Sequence, residues 1–119
     1  MSNEPAVLEA GDLIWTDFDP RIGREQGGRW PAIVVSPSPL WQALRFVIVC
    51  PITSRIRPFA SSVVFPDGLP ILGKILTSQV RSLDTLARRV IPMGAAVPPA
   101  VLAEVRAELG LLLGITQSL

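Results

Sequence analysis

The 119-residue sequence predicts a mainly-β domain of the α+β class, a small twisted barrel of short strands closed by one C-terminal helix. Three observations predict it. Short runs rich in β-branched residues recur between proline and glycine punctuation. No alternation of strands with long helical segments, the signature of a parallel βαβ sheet, runs through the chain. The apolar period becomes helical only near the C-terminus.

Asp12–Phe18 (DLIWTDF) has β-formers on both faces and is closed by Asp19–Pro20. The charged, glycine-rich segment Arg21–Arg29 (RIGREQGGR) reads as a long exposed loop. Pro31–Ser36 (PAIVVS) is a short apolar strand opened by a proline, which a strand tolerates at its first residue. Ser36–Leu44 carries two prolines and reads as a loop with one helical turn around Trp41. Arg45–Pro51 (RFVIVCP) is the clearest buried strand. Ser62–Phe65 is a further strand, followed by a turn at Pro66–Gly68. Lys74–Leu83 divides into two strand pieces broken near Thr77–Ser78, and a last strand lies around Arg89–Pro92. From Pro98 the period changes. Val101, Val105, Leu109 and Leu112 recur at helical spacing, Leu102 and Leu113 widen the stripe, and Pro98 or Pro99 suits a first helical turn. Residues 1–10 read as a flexible N-terminal extension, and 11–119 as one domain, long enough to bury a core without staples.

Composition narrows the chemistry. Apolar residues make up 49% of the chain, yet no stretch approaches the ~20 residues that a membrane span needs. The excess is assigned to a core and a homodimer interface, without a membrane role. The N-terminus shows no basic-then-apolar signal pattern, so the cytoplasm is the expected location. Cys50, the single cysteine, reads as a small buried hydrophobe. The net charge is +1, but of the 11 basic residues only Lys74 is a lysine. Arginine suits phosphate recognition through its rigid donor fork; codon composition gives the same bias. There is no histidine, which excludes the imidazole acid–base pair, the Ser-His-Asp triad and the common histidine zinc sites. Asp17, Asp19 and Asp84 lack the spacing of a magnesium site, and no cofactor is expected.

Four blocks occur in order: GDLIWTDFDP (Gly11–Pro20), GREQGGRWPAIVVSP (Gly23–Pro37), CPITSR (Cys50–Arg55) and GKILTSQVRSLD (Gly73–Asp84). Together they resemble the MazF/PemK (Kid-like) toxins of bacterial toxin–antitoxin modules. The resemblance implies an SH3-like barrel of the MazF/CcdB/Kid type, a homodimer, and metal-independent cleavage of single-stranded RNA. Cleavage in this family uses the 2′-hydroxyl and leaves a 2′,3′-cyclic phosphate and a 5′-hydroxyl. A cognate MazE-like antitoxin neutralises the enzyme with an extended acidic C-terminal tail.

The resemblance also implies site residues. The family threonine falls on Thr53, and the loop glutamate and glutamine fall on Glu25 and Gln26. The family arginine stands immediately before the proline of the second strand; that position is Trp30, and an arginine precedes it at Arg29. Arg29, Thr53 and Glu25 are therefore the expected catalytic set. Arg24, Gln26, Trp30, Arg55, Arg57, Gln79 and Arg81 are the expected RNA-binding set, with Gln79 and Arg81 alternating along one strand face. Transesterification needs removal of the 2′-OH proton, stabilisation of a charged phosphorane, and a proton for the 5′-oxygen. A guanidinium serves the second task, Thr53 donates a hydroxyl hydrogen bond, and Glu25 either orients the arginine or accepts the proton. Adjacent strand residues face opposite ways, so Arg29 replaces an arginine at position 30 only if Gly27–Gly28 re-aim it. Trp30 has two readings: a platform that stacks an unpaired base, or a packing residue in a toxin relative that acts by binding RNA or a protein such as gyrase, as CcdB proteins do.

Overall fold

The computed structural model describes residues 7–17, 29–54, 63 and 65–115. Its elements follow the chain as β1 (Asp12–Asp17), β2 (Arg29–Val34), α1 (Ser38–Leu44), β3 (Phe46–Thr53), β4 (Lys74–Ile75), a 3₁₀ turn (Thr77–Gln79), β5 (Arg81–Asp84), β6 (Val90–Ala96) and α2 (Pro99–Leu113). All described pairings are antiparallel, in the order β4-β3-β2-β1-β6, with β5 also on β3. β4 and β5 share one edge of β3, separated by the 3₁₀ turn. Among the described residues no pairing closes β6 onto β4 or β5, so the architecture is an antiparallel sheet carrying a C-terminal helix.

Strand alternation gives the sheet two buried faces. Leu13, Ile33, Cys50, Ile52 and Ile75 point to the first face and pack with Val101, Val105 and Leu109 of α2. Ile14, Ala32, Val34, Val47, Val49 and Leu83 point to the second, where Trp41 of α1 and Leu8 cover them. This explains why PAIVV and FVIVCPI are continuous apolar runs: a strand covered on both faces has no polar alternation.

Two backbone devices hold the connections. Arg45 ends α1 in the left-handed region (φ 61°), with its guanidinium 4.0 Å over the Trp41 ring. Its carbonyl accepts from both the Thr85 hydroxyl (2.6 Å) and the Thr85 N–H (2.9 Å), tying the helix end to the turn after β5. Arg45 is thus a helix cap rather than the first residue of the strand. The Arg106 guanidinium donates twice to the Val35 carbonyl, at 3.2 and 2.9 Å, and the Thr77 hydroxyl donates to Glu108 at 3.2 Å. Those bonds fasten α2 to the sheet and to the 3₁₀ turn.

Several expected boundaries shift. β2 begins at Arg29, two residues before its proline, because β1 pairs with it from Asp17↔Arg29 onward. β3 runs on to Thr53. The expected strand at Ser62–Phe65 falls partly outside the described residues; Val63 and Phe65 are buried in the first core. In α2 the stripe is buried at Val101, Val105 and Leu109, but it stops there, and Leu112 is 56% exposed. Leu8 is buried under the second face.

Candidate active site

The site is defined by register. Thr16 opposes Val90 on β6 and Trp30 on β2, and Thr53 opposes Lys74 on β4. Between them, Ala32↔Pro51 pairs β2 with β3; continued by two places, that register sets Trp30 opposite Thr53. Directly opposed residues of an antiparallel pair share a face. Val90, Thr16, Trp30, Thr53 and Lys74 therefore form one transverse row on the second face, at the end of the sheet away from Val47.

Trp30 is half-buried, and its indole packs against the second-face core together with Val90. Pairing and the following proline fix it as extended strand, so the indole belongs to the sheet and not to the preceding loop. Thr16 is buried and donates its hydroxyl to the Arg89 carbonyl at 3.0 Å. Arg88 donates from Nη1 to the Asp17 carbonyl at 2.8 Å, closing the end of β1. Thr53 is 6% exposed at the last position of β3, immediately before exposed Ser54.

Arg29 lies elsewhere. It opposes Asp17 in regular pairing, and its guanidinium sits 5.2 Å over the Trp15 ring. Trp15 and Arg29 share the face of Leu13 and Ile33, opposite to Trp30 and Thr53. Among the described residues the backbone of Arg29 is ordinary strand, with no turn of its side chain onto the face of position 30. Arg81 opposes Val49 and so shares the face of Thr53, four residues back along β3. Gln79 does not share a strand with Arg81: it is exposed at the end of the 3₁₀ turn, because Leu76 to Val80 turn to pass from β4 to β5. Arg24, Glu25, Gln26, Arg55 and Arg57 lie outside the described residues.

The pairing puts Trp30 and Thr53 on one face, places Arg81 further along it, and sets Arg29 on the other. It adds Lys74, which sequence reading passed over. The only signal for Lys74 was its position five residues before Gln79 in the fourth block, and the block alone does not give its register against Thr53.

Cys50 takes no part. Burial, and secondarily the charge of Glu108, push its thiol up to about 12, so it stays protonated and inert on the first face. Among the described residues no three His, Cys, Asp or Glu side chains cluster as metal ligands. No helix among them is long and apolar enough to cross a membrane.

Comparison with known proteins gives the family. The chain matches the family described as PemK-like, MazF-like toxin of type II toxin-antitoxin system over residues 9–113. It is 35% identical over 108 residues to the Endoribonuclease toxin MazF of Escherichia coli strain K12, covering 91% of this chain and 96% of that one. MazF of Deinococcus radiodurans superposes with a TM-score of 0.78 at 44% identity, over 92% of this chain and 99% of that one. A MazE-MazF structure from the same organism gives a TM-score of 0.79 at 42% identity, over 93% of this chain and 100% of that one. This chain belongs to the PemK-like, MazF-like toxin family of type II toxin–antitoxin systems.

Proposed function

We propose that this protein is an endoribonuclease toxin that cleaves single-stranded RNA, mRNA included, by metal-independent transesterification through the 2′-OH. The observation that carries the reading is Thr53 at the end of β3, on the same face as Trp30, in a chain of the MazF-like family. Relatives at 31–35% identity bear the names Endoribonuclease toxin MazF, Endoribonuclease PemK and Endoribonuclease toxin ChpB, which supports the same activity here. The 2′-oxygen attacks phosphorus, the P–O5′ bond breaks, and the products are a 2′,3′-cyclic phosphate and a 5′-hydroxyl.

Thr53 donates its hydroxyl to a phosphate oxygen, and the half-buried Trp30 presents an edge on which a neighbouring base stacks. Arg81 tracks the RNA backbone further along the face. Arg29, exposed on the other face, contributes charge at the flank of the groove instead of hydrogen bonds to the reacting phosphate. Glu25 takes the 2′-OH proton or orients a cation, and Arg24, Gln26, Arg55 and Arg57 complete the RNA contacts. Gln79 reads a base from the 3₁₀ turn.

The antiparallel sheet corresponds to the SH3-like barrel of MazF, CcdB and Kid proteins, with the domain running from residue 11 and residues 1–10 as its extension. The protein acts in the cytoplasm as a homodimer. The exposed run Leu111, Leu112, Leu113 and Ile115 at the end of α2 supports coverage by a second copy. A cognate MazE-like antitoxin neutralises it, as the MazE-MazF structures of relatives support.

The test is incubation of the purified chain with an unstructured RNA transcript in EDTA. Fragments bearing 5′-hydroxyl ends are expected. One observation favours a second reading: an indole occupies the family's arginine position. Intact RNA at high enzyme concentration, with growth arrest on expression, would establish a toxin relative that acts by binding RNA or a protein target such as gyrase.

A further inference from the structure

An endoribonuclease of this design needs a cation at the reacting phosphate, and the family position for it holds Trp30. We infer that Lys74 supplies that charge as a catalytic residue; the inference rests on the endoribonuclease reading above.

The register is unambiguous. Ile52↔Ile75 and Thr53↔Lys74 are successive antiparallel pairs. Ile52 and Ile75 are both buried in the first core, at 1% and 0% exposure, which puts Thr53 and Lys74 together on the second face. Side chains so opposed have Cβ atoms about 5 Å apart. The backbone on either side of Lys74 is held against β3. A Cβ on Gly73 would stand 2.5 Å from the Thr53 carbonyl oxygen, and the Leu76 N–H donates to the Pro51 carbonyl at 2.8 Å. Lys74 itself is half-buried, with its ammonium on a flexible four-carbon stem.

Other described cations are placed worse. Arg81 opposes Val49, so it lies about 13 Å from Thr53 along the strand at ~3.3 Å per residue. Arg29 and Arg45 lie over Trp15 and Trp41. Arg88 and Arg106 donate to the carbonyls of Asp17 and Val35, and exposed Arg89 precedes β6, which β1 and β2 separate from β3. Lys74 alone among the described residues combines a positive charge with direct opposition to Thr53.

In the reaction the O2′–P bond forms as the P–O5′ bond breaks, the 2′ proton leaves to a base or solvent, and O5′ takes a proton from solvent. The Lys74 ammonium donates to the non-bridging oxygens, where charge builds in the phosphorane, while Thr53 donates from beside it. Such donors act most on the transition state and less on RNA binding.

The test uses the full-length protein, its Lys74→Met and Lys74→Arg variants, and an unstructured transcript under single-turnover conditions in EDTA. Binding is measured separately with the 2′-O-methyl form of the same RNA. Lys74→Met should lower the cleavage rate about 100-fold or more, as loss of an oxyanion donor does, while binding weakens only a few-fold. Lys74→Arg, which keeps the charge, should stay within about tenfold of wild type. Wild-type cleavage by Lys74→Met, or an equal loss in both variants, overturns the assignment while leaving the endoribonuclease reading intact. A wild-type protein that leaves the transcript uncut overturns that reading itself, and the assignment with it.

Discussion

Thr53, the last residue of β3, is opposed by Lys74, the first residue of β4, so a hydroxyl and an ammonium rise from one face of the sheet. On its other edge β3 pairs with β2 through Ala32↔Pro51, which puts Trp30 on the same face as Thr53. The pairing of Thr53 with Lys74 depends on a close backbone approach, and its consequences extend to residues that never touch substrate.

Gly73 makes the approach possible. A methyl group there would meet the Thr53 carbonyl oxygen at 2.5 Å and Ile52 Cγ2 at 3.0 Å, on backbone with φ at +153°. Gly73→Ala is expected to destabilise the fold by about 1–3 kcal/mol, the usual range for overpacking. It should also lower cleavage more than RNA binding, because β4 must move away from Thr53. Thermal denaturation beside a single-turnover assay checks both.

Trp30→Arg places a guanidinium on the face of Thr53 and removes an indole from the second-face core. The expected outcome is a trade: cleavage faster by about tenfold or more, and stability lower by about 1–2 kcal/mol. The same change should restore much of the activity lost in Lys74→Met. A rate that falls with Trp30→Arg would mean that the indole, not a missing cation, serves the reaction.

Arg29→Ala should weaken binding of 2′-O-methyl RNA several-fold, with a shallower salt dependence, since a phosphate contact is lost. The cleavage rate at saturating enzyme should hold near wild type, because Arg29 shares a face with Trp15 and not with Thr53. Titration of enzyme against labelled RNA separates the two effects.

Cys50 sets a pH dependence. Burial, followed by the Glu108 charge, raises its folded pKa from 9.0 to about 12, so the folded chain holds a proton that the unfolded chain releases. Its contribution to stability is fully present below pH 9 and is lost as pH rises towards 12. In that window stability should fall by up to about 1.4 kcal/mol per pH unit, and Cys50→Ala should flatten the slope. Denaturant melts across the range, with thiol labelling expected only on unfolding, provide the check.

Much of the fold is readable in the sequence because its strands are short apolar runs bounded by proline and glycine. The break near Thr77–Ser78 became the 3₁₀ turn, and the helical period of Val101, Val105 and Leu109 became the buried stripe of α2. Non-local relations were not readable. The alternation of RWPAIV says that Arg29 and Trp30 face opposite ways, but which of them shares a face with Thr53 is decided by pairing with β1 and β3. Lys74 stands 21 places beyond Thr53, and local pattern says nothing about their opposition. Leu112 fits the helical stripe as well as Leu109 does, yet Leu109 is buried and Leu112 is exposed, a difference that local periodicity does not carry.

The most direct test of the central claim is cleavage of a pair of oligonucleotides that differ in one atom. After the cut site is mapped on a transcript, an all-RNA strand and one with 2′-deoxy at the scissile nucleotide are incubated with the protein in EDTA. The expected result is a 2′,3′-cyclic phosphate end from the first strand and no cut at that bond in the second. A cut of equal rate in the deoxy strand would contradict attack by the 2′-oxygen, and with it the role given to the Thr53 row.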